Sequence, residues 1–282
     1  MKNVLALKQV TKRYKDFTLD SVDLTVPGGT IMGLIGENGA GKSTLIKCIL
    51  GIVRPESGEI TILGTDPEAA KADVGVVMDE SLFHDQLRPR QVNGIMAGLY
   101  PSWDRDLFYG YLDKFQLPES KQLKEFSRGM KMKLAIAAAL AHRPRLLLLD
   151  EATGGLDPVV RDEIVEEFMA FVSDEDHGIL ISSHITSDLE KACDAITYLH
   201  KGRVTLSGEK DALLSTYGRI ACTKAQLAAM DPSLILGSRA SQFAAEAVVN
   251  DRRAFRQAYP DIPVDPVSLE DLMVFTVRRD EK

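Results

Sequence analysis

The stretch with the plainest chemistry is GENGAGKST: Gly36, Glu37, Asn38, Gly39, Ala40, Gly41, Lys42, Ser43 and Thr44. It fits G-x-x-x-x-G-K-[ST], between the strand-like TIMGLI and a helix-like segment. Glycines let successive backbone N–H groups turn inward around phosphate oxygens, and the following helix N-terminus adds partial positive charge. Lys42 is placed to reach the β- and γ-phosphates of a nucleotide, and Ser43 to ligate magnesium. LLLLDE, Leu146–Glu151, is a hydrophobic strand ending in two carboxylates. Asp150 suits a magnesium-linked role, and Glu151 can polarise a water near the γ-phosphate. His184 follows the strand-like GILISS, where it can contact the same phosphate. His84, His142, His177 and His200 lack such a setting and read as structural. Tyr14, inside TKRYKD, is either a nucleobase-stacking aromatic or an ordinary exposed tyrosine.

The elements that must hold these residues alternate between strand and helix. Val4–Val10 and Leu19–Val26 carry the period of strands, and Pro27-Gly28-Gly29 is a turn. Thr30–Ile35 predicts a buried strand, Lys42–Leu50 a helix, and Glu59–Leu63 and Val74–Met78 further strands. Helices are predicted over Arg90–Leu99, Arg105–Phe115 and Arg128–Ala141. Alternation then resumes: strand Arg145–Asp150, helix Pro158–Val172 with proline in its first turn, strand Gly178–Ser183, a helix near Ser187–Cys193, and a hairpin of ITYLH and RVTLS. The pattern is an α/β core with a helical insertion over about 82–142. Beyond about 210 the tail mixes a helix-like Gln242–Tyr259 with a turn-rich PDIPVDP, and Ser268 is placed to cap a last helix.

Composition narrows the function. The 282 residues are 45% hydrophobic and carry a net charge of −7, which gives no electrostatic reason to bind nucleic acid. Cys48, Cys193 and Cys222 are odd in number and widely spaced, as expected of reduced thiols. No apolar run approaches the ~18–20 residues of a membrane span, and MKNVLALKQVTKRYK lacks the core of a signal peptide. Any membrane role therefore falls to a partner.

With these residues in place, roughly 1–210 resembles the nucleotide-binding subunit of ABC transporters. GENGAGKST resembles the family's Walker A, LLLLDE its Walker B, GGLDP (Gly154–Pro158) its D-loop and ISSHI its switch histidine. Tyr14 stands where the family has its adenine-stacking aromatic. FSRGM, Phe126–Met130, stands where the family has the signature LSGGQ. The resemblance implies a P-loop NTPase of ABC-ATPase type, with a RecA-like core, an antiparallel β subdomain, a helical subdomain insertion and a C-terminal extension over 211–282. It implies ATP and Mg2+ as ligands, and a head-to-tail dimer in which Ser127 and Gly129 hold the partner's γ-phosphate and Asp157 helps join the two sites. The second subunit is then another copy or a related chain. The cargo path belongs to an integral membrane permease, and this chain is peripheral on the cytoplasmic face. The single-domain layout and the motif variants resemble a bacterial branch exporting antibiotics, peptides or lipids.

Two departures keep a rival open. Arg128 replaces a signature glycine, with a side chain free to point away from the nucleotide. Asp79, in VGVVMDE, replaces the usual glutamine; it either ends its strand or holds magnesium or a water. A nucleotide-gated regulatory module with little turnover is the alternative they motivate, and an importer subunit is a third reading. The extension either supports the dimer or covers the core.

Overall fold

The computed structural model describes residues 2–78, 83–152, 154, 156–242 and 244–277. Asp79 lies outside the described residues.

Alternation along Thr18–Pro27 gives the first sheet its buried face. In β1 (Asn3–Arg13) and β2 (Thr18–Pro27), Val22, Leu24 and Val26 point inward while Asp23 and Thr25 face out, and the two strands pair antiparallel. β3 (Thr30–Ile35) is apolar on both faces and buried along nearly its whole length, as a central parallel strand must be. It runs through the phosphate loop into α1 (Lys42–Ile49). β4 (Ser57–Ile62) then completes the antiparallel sheet, in the order β2-β1-β4.

The second sheet has the order β5-β6-β7-β3-β8-β9, from β5 (Val74–Val77), β6 (Leu146–Asp150), β7 (Gly178–Ser183), β8 (Ala195–His200) and β9 (Arg203–Glu209). All pairs are parallel except β8 with β9. Their register sets Ile35 beside Ser183 and Asp150 beside Ser182, so three strand ends finish level. In such sheets ligands collect at the carboxyl ends of the strands.

Between β5 and β6 lie α2 (Pro89–Leu99), α3 (Arg105–Lys114) and α4 (Arg128–Ala141). Asp104 caps α3 by accepting the Leu107 N–H, and Ser127 caps α4 by accepting the Met130 N–H; each such cap contributes about 1 kcal/mol. Phe108, Leu112 and Phe126 bury the insertion against the main core. Asp157 likewise caps α5 (Pro158–Val172) through the Val160 N–H. α6 (Thr186–Ala192) follows β7 directly. Among the described residues no helix is long and apolar enough to cross a membrane.

The extension corrects one expectation. Gln242–Tyr259 is not one helix: it holds β12 (Ala245–Val249) and a short helix (Arg252–Ala258). Asp251 accepts the N–H groups of Arg253 and Ala254 and starts that helix afresh, while Val248 and Val249 favour a pleated strand. α7 (Lys210–Thr216), β10 (Gly218–Cys222), α8 (Lys224–Ala229) and β11 (Ile235–Ala240) precede β12; α9 is the Arg252 helix and α10 (Leu269–Val277) is last. The sheet runs β10-β12-β11. Ser268 caps α10 as expected, accepting the Asp271 N–H at 3.0 Å. Alternation along β12 divides its side chains. Ala247 and Val249 join Ile220 and Phe255 in a small separate core, whereas Val248 joins Leu236, Leu272 and Phe275 in the main one. α10 packs on both α6 and β11, so the extension covers part of the core.

Candidate nucleotide-phosphate site

The loop after β3 takes its shape from two glycines that nothing larger can replace. A Cβ on Gly36 would come 2.4 Å from the Leu199 carbonyl oxygen, so the loop can lie on β8 only without one. Gly41 has φ 110, and a Cβ there would meet the Phe17 ring at 2.6 Å. Gly39 opens onto free space. No side chain caps α1 among the described residues, and its first turn contains no acid. Uncapped N–H groups on a positive helix end form a cradle for phosphate oxygens. The cleft above the loop has a volume of about 820 Å³. Glu37, Asn38, Gly39, Gly41, Lys42, Ser43 and Thr44 form its floor, and Glu151, Gly154, His184 and Ile185 are among its walls.

Lys42 is 6% exposed. Its ammonium donates to the Gly36 carbonyl at 2.7 Å and to the Glu37 carbonyl at 3.4 Å, and lies 3.2 Å from Glu151 Oε1. The other Glu151 oxygen lies 2.7 Å from His184 Nδ1. Glu151 thus bridges a cation and a histidine brought from two other strand ends. Its backbone is left-handed, with φ 54, and its N–H donates to the Ser182 carbonyl at 3.1 Å. A left-handed non-glycine residue is strained, and here it turns the carboxylate into the cleft. Asp150 is buried and accepts the Ser182 hydroxyl at 2.5 Å. Ser43 is exposed at the start of α1. A hard oxygen set of a hydroxyl and a carboxylate beside a phosphate loop suits magnesium.

The expected residues fall into two groups. Glu37, Asn38, Gly39, Gly41, Lys42, Ser43, Thr44, Glu151 and His184 line this cleft, whereas Gly36, Ala40 and Asp150 do not. Ser127, Gly129 and Asp157 do not line it: Ser127 and Asp157 cap helices, and Gly129 faces Val160 of α5. Tyr14 is also outside the lining, with its ring under the Lys12 ammonium at 5.6 Å. Its N–H donates to Phe17 at 2.7 Å, closing a turn that brings Asp16 and Phe17 to the cleft instead. Phe17, three residues past Tyr14, is an aromatic at the cleft that no sequence motif marks. His200 was read as structural, yet its Nδ1 lies 2.7 Å from Glu37 Oε1, although neither ring nitrogen has an aligned hydrogen-bond partner. Arg128 does not point away; it lines the cleft of its own chain.

Comparison with known proteins gives the family. The family model described as ABC transporter matches residues 19–154. The chain is 29% identical to the ABC transporter ATP-binding protein YtrB of Bacillus subtilis (strain 168), over 96% of this chain and 97% of YtrB. It is 36% identical to the lantibiotic transport ATP-binding protein SrtF of Streptococcus pyogenes, over 74% of this chain and 92% of SrtF. A solved ATP-binding subunit of an ABC transporter superposes with a TM-score of 0.69 at 30% identity, covering 74% of this chain and 91% of that one.

Proposed function

The chain belongs to the ABC transporter family, as one of its ATP-binding subunits, and from that premise we propose that it hydrolyses ATP to drive a separate membrane permease of a bacterial exporter. The observation that carries the reading is the group of Lys42, Glu151 and His184 above an uncapped helix start. Lys42 exchanges its carbonyl contacts for β- and γ-phosphate oxygens. Glu151 holds the attacking water and takes its proton as the water oxygen bonds to the γ-phosphorus. The bond from that phosphorus to the ADP oxygen breaks, and phosphate leaves. His184, which shares Glu151 in this structure, turns to the γ-phosphate. Ser43 and Asp150 would hold magnesium, which would supply charge neutralisation at the phosphates. Asp79 belongs to the same proposal as a ligand of magnesium or its water, and Tyr14 as a stacking platform for adenine.

A second subunit, a further copy or a related chain, completes each site with its Ser127 and Gly129, and Asp157 helps connect the two sites. Those residues are outside this chain's own cleft, as a role in trans requires. An apolar groove of about 430 Å³, lined by Leu50, Ile52, Val76, Met78 and Tyr100 among others, supports a membrane partner. Ile52 and Leu99 are each 67% exposed, and surface of this kind suits the cytoplasmic helices of a permease. The protein is then cytoplasmic and peripheral on the inner face of the membrane. The net charge of −7 and this site give no role to nucleic acid. Export is favoured over import by the likeness to a lantibiotic transport protein.

The deciding experiment is phosphate release by the purified chain beside Glu151→Gln, with oligomeric state followed in ATP. The proposal expects turnover in the wild type, and loss of turnover with an accumulating ATP-bound dimer in the variant. ATP binding without hydrolysis or dimerisation, even with the permease added, would instead establish the regulatory module.

A further inference from the structure

FSRGM divides its residues between directions. Phe126 is buried in the main core, Ser127 caps α4, and Gly129 lies against Val160. Arg128, between them, is exposed and lines the phosphate cleft of its own subunit. Its place along that cleft is defined. The segment after Glu151 turns back, with the Gly154 N–H donating to the Glu151 carbonyl at 3.1 Å. Beside Gly154, the point a Cβ would occupy is 3.8 Å from Arg128 Nη2 and 3.3 Å from the Glu151 carbonyl oxygen. The guanidinium therefore stands at the Glu151 end, where the terminal phosphate must sit for attack, and not at the Asp16–Phe17 end. Arginine presents a planar fork of donors suited to phosphate oxygens.

Resting on the ATP-binding reading above, we propose that Arg128 is a terminal-phosphate ligand acting in cis. It serves the nucleotide of its own subunit, while its neighbours Ser127 and Gly129 serve the partner's. One short motif would then touch both composite sites, so the position of α4 is felt at each. The positive charge added where the signature has glycine strengthens triphosphate binding before any dimer forms.

A role in cis is separable from one in trans by working with the monomer. The full chain is held dilute enough to sediment as a monomer. Its affinity is then measured for ADP and for the non-hydrolysable β,γ-imido analogue of ATP, in wild type, Arg128→Ala and Arg128→Lys. We expect Arg128→Ala to weaken triphosphate binding by about three- to tenfold, the size of one charge-assisted contact at a partly solvated site. ADP affinity stays unchanged, which also shows that the cleft is folded. Arg128→Lys recovers part of the loss. Unchanged triphosphate affinity in the Arg128→Ala monomer overturns the inference, as does an equal loss for ADP, which would mean that the arginine only shapes the cleft. A wild-type monomer binding neither nucleotide overturns the ATP-binding reading itself.

Discussion

The side chains lining the phosphate cleft come from the stretch 16–185, and none comes from the sheet β10-β12-β11. Yet Leu236, Val248, Leu272 and Phe275 of the extension share one apolar core with Ile35, Leu149 and Ile181, which lie at or near the strand ends below the cleft. One region places the candidate phosphate site at parallel strand ends; the other lines no part of that cleft among the described residues and packs against the same core. The candidate site and the extension are thus separate along the chain but meet in one of its apolar clusters. The extension also keeps a small core of its own, around Ile220, Met230 and Phe255, so it is neither an independent domain nor a loose tail.

The sharpest way to break this division is from the supporting side. Phe275 is 1% exposed, and Phe275→Ala should cost about 3–5 kcal/mol of stability, read by denaturant unfolding, while the ADP affinity of the folded fraction stays the same. If affinity falls as well, the extension tunes the site through α6, and the division fails. Lys42→Ala tests the other side. Truncating a buried, hydrogen-bonded cation costs about 2–5 kcal/mol, so ATP affinity should fall by about a hundredfold by calorimetry, with a much smaller change in melting temperature than Phe275→Ala gives. A third experiment compares Tyr14→Ala with Phe17→Ala. Loss of a base-stacking ring is worth about 1–3 kcal/mol, and the variant that loses about tenfold in ATP affinity identifies the adenine platform. A loss confined to Phe17→Ala withdraws Tyr14 from that role.

The smallest effect concerns pH. His142 ends α4, buried and stacked on Tyr100 at 4.2 Å. Burial pushes its imidazole below the usual histidine range, against weaker opposing contacts with backbone carbonyls and Asp73. The unfolded chain therefore takes up the proton first, near pH 6.5, and stability present above that pH declines as pH falls through it. Asp231, in the extension, acts with the same sign but in a lower pH window. The Ser233 N–H holds its carboxyl below the ordinary range, so its contribution persists until pH falls below about 4. Between pH 7.5 and 5.5 wild type should thus lose more melting temperature than His142→Phe, and the difference arises in the core alone.

The core was legible because its strands are continuous apolar runs that end in chemistry-bearing residues. TIMGLI, LLLLD and GILISS each announce a buried parallel strand and its business end, and GENGAGKST leaves little freedom in how the chain must turn. The extension was less legible for the opposite reasons. Ala245–Val249 is short and mixes helix formers with valines, and it becomes a strand between β11 and β10, the latter distant in sequence. At the site, residue identity could be read but side-chain direction could not. Arg128 enters its own cleft, and His200 lies against Glu37, because tertiary packing decides where each points. Phe17 reaches the cleft because the turn after Tyr14 closes on its carbonyl.

The contact between α6 and α10 has a consequence for the protein's birth. α6 carries Leu189, fully buried in the core that α10 seals. On the ribosome α6 emerges long before α10, and at roughly 5–20 residues per second the interval lasts seconds. During that time a nearly finished nucleotide cradle carries a greasy, unsealed flank. Nascent chains stalled in this window should be the form of the protein that chaperones and proteases meet most often, and release of the last helix from the exit tunnel ends that exposure.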